Sequence, residues 1–511
     1  MRFAKDALLF LVSIALCVVV AEGVVRYIDG YPILLTPLGE PMGLASVKQD
    51  SVDKVPRAPG VERDWFFSDP AALSNKRPVP EDWERLYRFV EANPVGGMRF
   101  RPSDAFKVWN TSFSGDPCRH WFLRYAPGQL FLYDAPDGQP RPPYRFLPDV
   151  TIPSGLTTNQ IGWRGPPIEN PRPEKTVRIV FVGSSTVVEA HHLPYAWPEY
   201  VGHWMNVWSR ARGLGIRFEV LNAGRESIIS SDIAAVVRTE VLPLRPDLVV
   251  YHEGGNQFRP ASIVEKVPDD PVTRPSNAQE PAAVKWLKEA ARYSALIGRV
   301  QAAFAMAGAT AGSNSGAEWP KPDYKVIWPE GLDEMNPDLD FANLPVNLNV
   351  IQKDLDTIRA DLGTIGADMA ITSFFWMVKD GMVVDPVRHR FIIEQLNAAN
   401  WPYRYRDLER LAAFQNRLFA KYAAVHGIAF IDLVGNTPFD PDLFVDAVHT
   451  SYAGTRIRGW AAFNLLVPLI ERKLADKAWP RPWPADASTA LPTFSPRLTK
   501  LDCKPQPSDP G

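Results

Sequence analysis

Cysteine is almost missing from this chain, with three among 511 residues. Cys17 lies in an apolar run, so only Cys118 and Cys503 remain to pair in an oxidising compartment. Such a bond would tie the C-terminal tail to the N-terminal region. No cysteine spacing suits a metal, and no cofactor is expected. An excess of charge is missing as well. Lys and Arg number 56 against 58 Asp and Glu, for a net charge of −2, and the basic residues are scattered rather than gathered in runs. This argues against a nucleic-acid partner. Internal repeats are absent, and long apolar runs are absent save one. Aromatics, by contrast, are plentiful, with 16 tryptophans beside 49 prolines. Disordered chains lack aromatics, so this mixture reads as long ordered loops around a core.

The one long apolar run covers residues 7–21 without a charge, follows Arg2 and Lys5, and continues past Glu22 to Val25. A membrane-spanning helix needs about 20 apolar residues, which places this run at the short end. A cleaved signal peptide has similar features. No A-x-A site follows, which favours an uncleaved signal anchor over residues 1–30. Leu16 does not suit a lipobox before Cys17. Basic residues stay cytoplasmic, so the expectation is a single-pass protein of the cell membrane, its main domain outside the cytoplasm in the periplasm.

Residues 31–155 form an accessory region with strand-like runs such as Gln129-Leu-Phe-Leu-Tyr133. Beyond it the texture changes. Val177-Arg-Ile-Val-Phe-Val182 is a β-branched run of the kind found in buried parallel strands. Further strands are expected at Phe218-Glu-Val-Leu221, Leu248-Val-Val-Tyr251, Met369-Ala-Ile-Thr-Ser-Phe374 and Ile428-Ala-Phe-Ile-Asp432. Helical stretches at 198–212, 232–241, 348–362 and 408–425 separate them. Strands alternating with helices predict an α/β fold, a doubly wound three-layer arrangement on a mostly parallel sheet. This domain runs over 156–478. Residues 260–345 interrupt the rhythm as an insertion, with a helix at 282–307 and then a partly mobile Gly/Ala/Ser-rich stretch. The proline-rich tail, 479–511, should run extended over the surface.

Ligands of such sheets bind outside the carboxyl ends of the strands. Three strands end in small or polar residues there: Gly183-Ser-Ser-Thr186, Asn222-Ala-Gly224 and Gly254-Gly-Asn256. Near the end of the domain stands Asp446-Ala-Val-His449, followed by Thr450 and Ser451 as helix caps. The set answers the needs of acyl transfer. A serine hydroxyl needs a base, and the base needs orienting; Ser185, His449 and Asp446 supply these in turn. The oxyanion needs fixed donors, which the amides of Ser185 and Gly224 and the Asn256 side chain can provide. Each piece has a plainer reading. Gly-Ser-Ser-Thr alone is a helix-starting turn, Gly224 a tight turn, Asn256 a cap and Asp446 a loop residue. His191 and His192 are neighbours without a further ligand cluster, and are read as structural or pocket-rim residues rather than a metal site. His252 and Glu253 line the crevice in a role left open. Arg456 and Arg458 are read as a solvated face of the last helix.

Taken in order, these blocks resemble the SGNH (GDSL-like) hydrolase superfamily. Gly183-Ser184-Ser185-Thr186 is similar to its Gly-Asp-Ser or Gly-Gly-Ser-Thr block, Gly224 to its second-block glycine, Gly254-Gly255-Asn256-Gln257 to its Gly-x-Asn-Asp block, and Asp446 to His449 to its Asp-x-x-His block. Thr158-Asn-Gln-Ile-Gly-Trp-Arg-Gly165 is similar to the lead-in of the branch that carries Gly-Gly-Ser-Thr. Ser184 and Gln257 depart from the family pattern. The resemblance covers about residues 156–260 and 346–475.

The expectation is therefore an extracytoplasmic serine esterase working through an acyl-enzyme, on a small-molecule or glycan acyl ester such as a carbohydrate O-acetyl group. Two alternatives stay open. One is an O-acetyltransferase acting on an envelope or exported glycan. The other is a catalytically silent module that binds glycan or protein, for which the Pro- and Trp-rich N-terminal region would offer stacking surfaces.

Overall fold

The structure is a computed structural model. It describes residues 2–31, 33–34, 38, 43–73, 111–114, 129–134, 142, 144–152, 155–189, 193–266, 286–287, 290–291, 293–307, 316–386, 388–492 and 494–500. Cys118, Cys503, His191, His192 and the Gly/Ala/Ser-rich stretch of the insertion lie outside the described residues.

Helix α1 spans Arg2–Asp29 and holds a strongly apolar segment, Lys5–Asp29, of 25 residues. Three short strands follow: β1 (Thr111–Phe113), β2 (Gln129–Asp134) and β3 (Tyr144–Phe146). The main sheet consists of β4 (Thr176–Gly183), β5 (Arg217–Asn222), β6 (Leu248–His252), β7 (Asp368–Thr372) and β8 (Ala429–Ile431). All pairs are parallel and the order is β5-β4-β6-β7-β8. Every residue of β4 is buried, as a β-branched run covered on both faces requires. Among the helices are α2 (Ser185–Val188), α3 (Trp197–Ala211), α4 (Ser230–Val236), α5 (Ala295–Ala307), α6 (Leu348–Gly363), α7 (Tyr405–His426) and α8 (Tyr452–Ala475). Helices α3 and α8 pack on each other and on β5 and β8. Helices α4 and α6 pack together, while α6 and α7 both reach β7. This is the doubly wound α/β fold that the alternating pattern predicts. The chain leaves β4 for β5 on one side and reaches β6 on the other, so the crevice that binds ligands in such sheets falls at the end of β4.

Three expectations change. The helix expected at 282–307 is interrupted: residues 286–287 and 290–291 are helical, the chain turns at 293–294, and α5 begins at Ala295, where Ser294 Oγ accepts the Ile297 amide (3.1 Å) and the Glu22 carboxylate takes the amides of Ala295 and Leu296 at 2.9 and 3.0 Å. A helix starts where its first N–H groups find acceptors. The tail, expected to run extended, contains a strand: β9 (Ser495–Lys500) pairs antiparallel with β2 over six residues, Gln129↔Lys500 to Asp134↔Ser495. Arg456 and Arg458 are buried rather than solvated, since α8 is covered on nearly every side. The Arg456 Nε and Nη2 donate to the carbonyls of Phe66 and Ser68, at 2.8 Å for Nε–Phe66 and Nη2–Ser68.

That guanidinium lies over the rings of Phe66, Tyr200 and Trp204. Phe66 itself stacks on Trp204 at 5.9 Å and meets Trp460 edge-on at 5.7 Å. Residues before the main sheet are thus sealed to α3 and α8 by a fully buried aromatic ring. Truncating such a ring removes its transfer energy and leaves a cavity, costing about 3–5 kcal/mol. Phe66→Ala should therefore lower the unfolding free energy by that amount in urea titrations of the detergent-solubilised protein. A loss below about 0.5 kcal/mol, the range of an ordinary surface change, would show that this segment does not support the core.

Candidate active site

Strand β4 ends in Gly183, where a side chain would run into the His252 carbonyl and Val187. Only glycine permits that approach. Ser184 stands at the N-cap position of α2 without a side-chain cap bond, and α2 is a single turn that opens with Ser185 and closes at Glu189 with φ 58°. The Ser184 hydroxyl donates to the buried Glu253 carboxylate. The Ser185 hydroxyl, partly exposed, instead stands 2.7 Å from His449 Nε2. The other ring nitrogen, Nδ1, lies 2.7 Å from Asp446 Oδ2.

Asp446 and His449 sit on a tight loop before α8. Val445 N–H donates to the His449 carbonyl at 3.0 Å, and the Asp446 Oδ1 accepts the amides of Val448 and His449 at 2.9 and 2.8 Å. Two long-range bonds hold the loop. Met377 N–H donates to the Ala447 carbonyl (2.7 Å), and Ala447 N–H to Gln395 Oε1 (2.8 Å). Ser451 accepts the Gly454 amide at 3.2 Å and starts α8, as a serine cap should.

The electrostatics follow from these contacts. Burial works against a charged His449, but the Asp446 carboxylate outweighs it by charge and by its bond, and raises the imidazole above its usual value; Glu189 adds to the rise and Arg458 opposes it. Burial pushes Asp446 up, yet the charge and bonds of His449 hold it below the ordinary carboxylate range. Glu189 Oε1 accepts from Arg458 Nη1 at 3.0 Å and from Thr450 Oγ1 at 2.9 Å. Burial raises its carboxyl despite Arg458.

The expected donors stand as follows. Ser185 N–H, at the first position of α2, has no acceptor among the described residues. Asn256 Nδ2 donates to the Ile228 carbonyl at 2.7 Å, which uses one of its two protons and fixes the carboxamide. Gly224 N–H donates to Asn222 Oδ1 at 3.0 Å, so it is engaged in this structure. Glu253 closes the turn after β6 by accepting the amides of Gly255 and Asn256 at 2.9 and 2.7 Å. His252 lies buried between the Trp197 and Phe374 rings with Nδ1 2.6 Å from Thr372 Oγ1, and burial pulls its pKa down. It is thus a core residue. Sequence alone passes over Glu189 and Gln395, takes Arg458 for a solvated residue and gives Glu253, the Ser184 partner, no role. The one available signal was an acidic residue directly after an apolar Thr-Val-Val turn. A cavity of about 520 Å³ adjoins the loop, lined by Phe391, Glu394, Gln395, Ala398, Val445 and Asp446 among others.

No family model matches the sequence, and no curated protein matches it. Solved structures that it resembles include a GDSL-like lipase from Bacteroides thetaiotaomicron, at 12% identity over 60% of this chain and 93% of that one, with a TM-score of 0.27. Another is an acetyl xylan esterase variant from Geobacillus stearothermophilus, at 14% identity over 57% and 96%, TM-score 0.30. A third is an alpha/beta hydrolase from the metagenome of Lake Arreo, Spain, at 15% over 57% and 96%, TM-score 0.28. Likeness at that level says nothing about which bond the site acts on.

A proton can leave Ser185 for His449 only while the imidazole is neutral. Its pKa is raised, so reactivity should be lost as pH falls through a value above the ordinary 6.5. The rate of fluorophosphonate labelling against pH measures this. Asp446→Asn should move the inflection downward and slow labelling. A wild-type inflection at or below 6.5 would contradict the charge balance described.

Proposed function

We propose that this chain is a serine hydrolase of the SGNH type. Its particular activity, in this reading, is that of a membrane-anchored esterase. The carrying observation is the relay of two 2.7 Å contacts, Ser185 Oγ to His449 Nε2 and His449 Nδ1 to Asp446 Oδ2. These are the distances that a nucleophile, a base and an orienting carboxylate require.

The Ser185 oxygen attacks the ester carbonyl as its proton passes to His449 Nε2. Asp446 stabilises the resulting imidazolium. Collapse of the tetrahedral intermediate expels the alcohol, which takes the proton from His449 and leaves an acyl-serine. Water then repeats the sequence with His449 as base, releasing the carboxylic acid. Negative charge on the carbonyl oxygen falls to Ser185 N–H and the free proton of Asn256 Nδ2, with Gly224 N–H as third donor. Helix α1 anchors the domain outside the cytoplasm, a reading supported by its apolar length and by Arg2 and Lys5 at its start. Carbohydrate-linked acetyl esters of an envelope or exported polymer are the substrate class that this placement favours.

Ser185→Ala should abolish fluorophosphonate labelling, and adding His449→Ala should make hydrolysis of a short acyl ester little worse than Ser185→Ala alone, because residues acting as a unit are non-additive. Asn256→Ala should lower kcat by about 10²–10³ with a smaller effect on KM. Folded protein that neither labels nor hydrolyses any short ester would leave a binding module instead.

A further inference from the structure

The outer end of α1 is built into the domain rather than joined to it by a free linker. Arg26 is buried and pairs with Glu22 at 2.6 Å, and it donates to the carbonyls of Ile33 (3.0 Å) and Tyr293 (2.7 Å). Glu22 caps α5, and Asp29 pairs with Arg299 on α5, its Oδ2 at 3.0 Å from Nε. The insertion is therefore clamped along the last two turns of the anchor.

The same end reaches the site loop. Gly30 packs so closely on Ser46 that a side chain there would collide with it. Two residues on, Lys48 bridges Asp440 (2.9 Å) and Asp442 (2.7 Å), and Asp442 also binds Arg388 and His389 at 2.8 Å each. Burial and the carboxylates of Asp29, Asp442 and Asp385 raise the Tyr31 phenol against the pull of Arg388. Asp442 precedes Asp446 by four residues, at most about 14 Å of chain.

Depth in the bilayer follows from length. A 25-residue helix is about 37 Å long, against about 30 Å of hydrocarbon. With Lys5 at one interface, Arg26 lies about 32 Å along the axis, at the other, with Asp29 about one turn beyond it and Glu22 about one turn inside it. Around them the apolar Ile28, Ile33 and Leu34 are exposed, together with Tyr27 and Tyr293, whose amphipathic rings suit a headgroup layer.

Resting on the hydrolase reading above, we infer that the site works at the bilayer surface on an acyl ester held there by a lipid, with the anchor–insertion clamp fixing its height. The occupant of the exposed apolar collar is the lipid headgroup region.

The test uses the full chain in phosphatidylcholine/phosphatidylglycerol nanodiscs and three fluorophosphonates: one soluble, one joined to a phospholipid headgroup by a short spacer, one by a long polymer spacer. Both lipid probes should label Ser185 at similar rates. Asp29→Asn with Arg299→Gln should slow the short-spacer probe at least tenfold and leave the soluble and long-spacer probes unchanged. The swap Asp29→Arg with Arg299→Asp should restore the short-spacer rate. Wild-type protein labelled by the long spacer but not the short one would overturn the inference and leave the collar to a protein partner. A clamp variant labelled equally by both would overturn it too. Absence of labelling by the soluble probe would instead refute the hydrolase reading.

Discussion

Arg458 and Glu189 join two parts of the chain that lie 269 residues apart, and the geometry of the site rests on that buried pair. Glu189 closes the turn that Ser185 opens. Arg458 comes from the helix that His449 leads into, and its remaining donors reach the carbonyls of Thr186 (3.2 Å) and Val448 (3.3 Å). One guanidinium thus holds the backbone beside both Ser185 and His449. A buried pair of this kind adds little net stability over an apolar pair, but losing one partner costs about 3–5 kcal/mol. Its contribution is register: the 2.7 Å contact between Ser185 and His449 needs both backbones fixed.

The same device recurs through the core. Arg178 pairs with Glu219, Arg172 with Asp247, and Glu240 receives both Arg225 and Arg145. Glu240 also accepts the Trp163 indole N–H at 2.7 Å. Arg225 follows Gly224 directly, and Arg145 belongs to β3, so the small sheet is linked to the strand end that carries the site. Burial pushes Glu240 up, but Arg225 and Arg145 outweigh it and keep its carboxyl below the usual range. The region before the main sheet is part of the scaffold through these charges as much as through Phe66.

The five core strands and the four helices between them were legible because burial on both faces demands continuous β-branched runs and amphipathic helices show their period. Ser185 was legible because strand ends in this fold face one crevice, and Asp446 and His449, which lie on the loop before α8, through their Asp-x-x-His spacing; the structure brings the three side chains together. Arg456 and Arg458 were not legible. Charge on a helix reads as solvent unless the partners are known, and theirs are Phe66, Ser68, Thr186 and Glu189. The start of α5 was hidden for the same reason, since Glu22 supplies its cap from 273 residues away. The pairing of β9 with β2 likewise depends on a partner more than 360 residues distant. Local pattern carries the elements, while the contacts between distant polar groups leave no periodic trace.

Engagement of the Gly224 amide with Asn222 bears on how the proposed donors would work. Surrendering that neutral bond costs about 0.5–1.5 kcal/mol, whereas a bond to a charged oxygen contributes about 1.5–3 kcal/mol. The exchange is unfavourable or neutral toward an uncharged ester carbonyl and favourable only once charge has built on the oxygen. An interaction stronger in the transition state than in the ground state is what accelerates a step. Asn222 is well placed to permit it, because its Nδ2 is held by the Val187 carbonyl at 2.9 Å and keeps the carboxamide in position when Oδ1 is vacated. Asn256 differs, since its second proton is free from the start and would bind the ester carbonyl in both states. On this account Gly224 contributes to kcat alone, and Asn256 divides its contribution between binding and turnover.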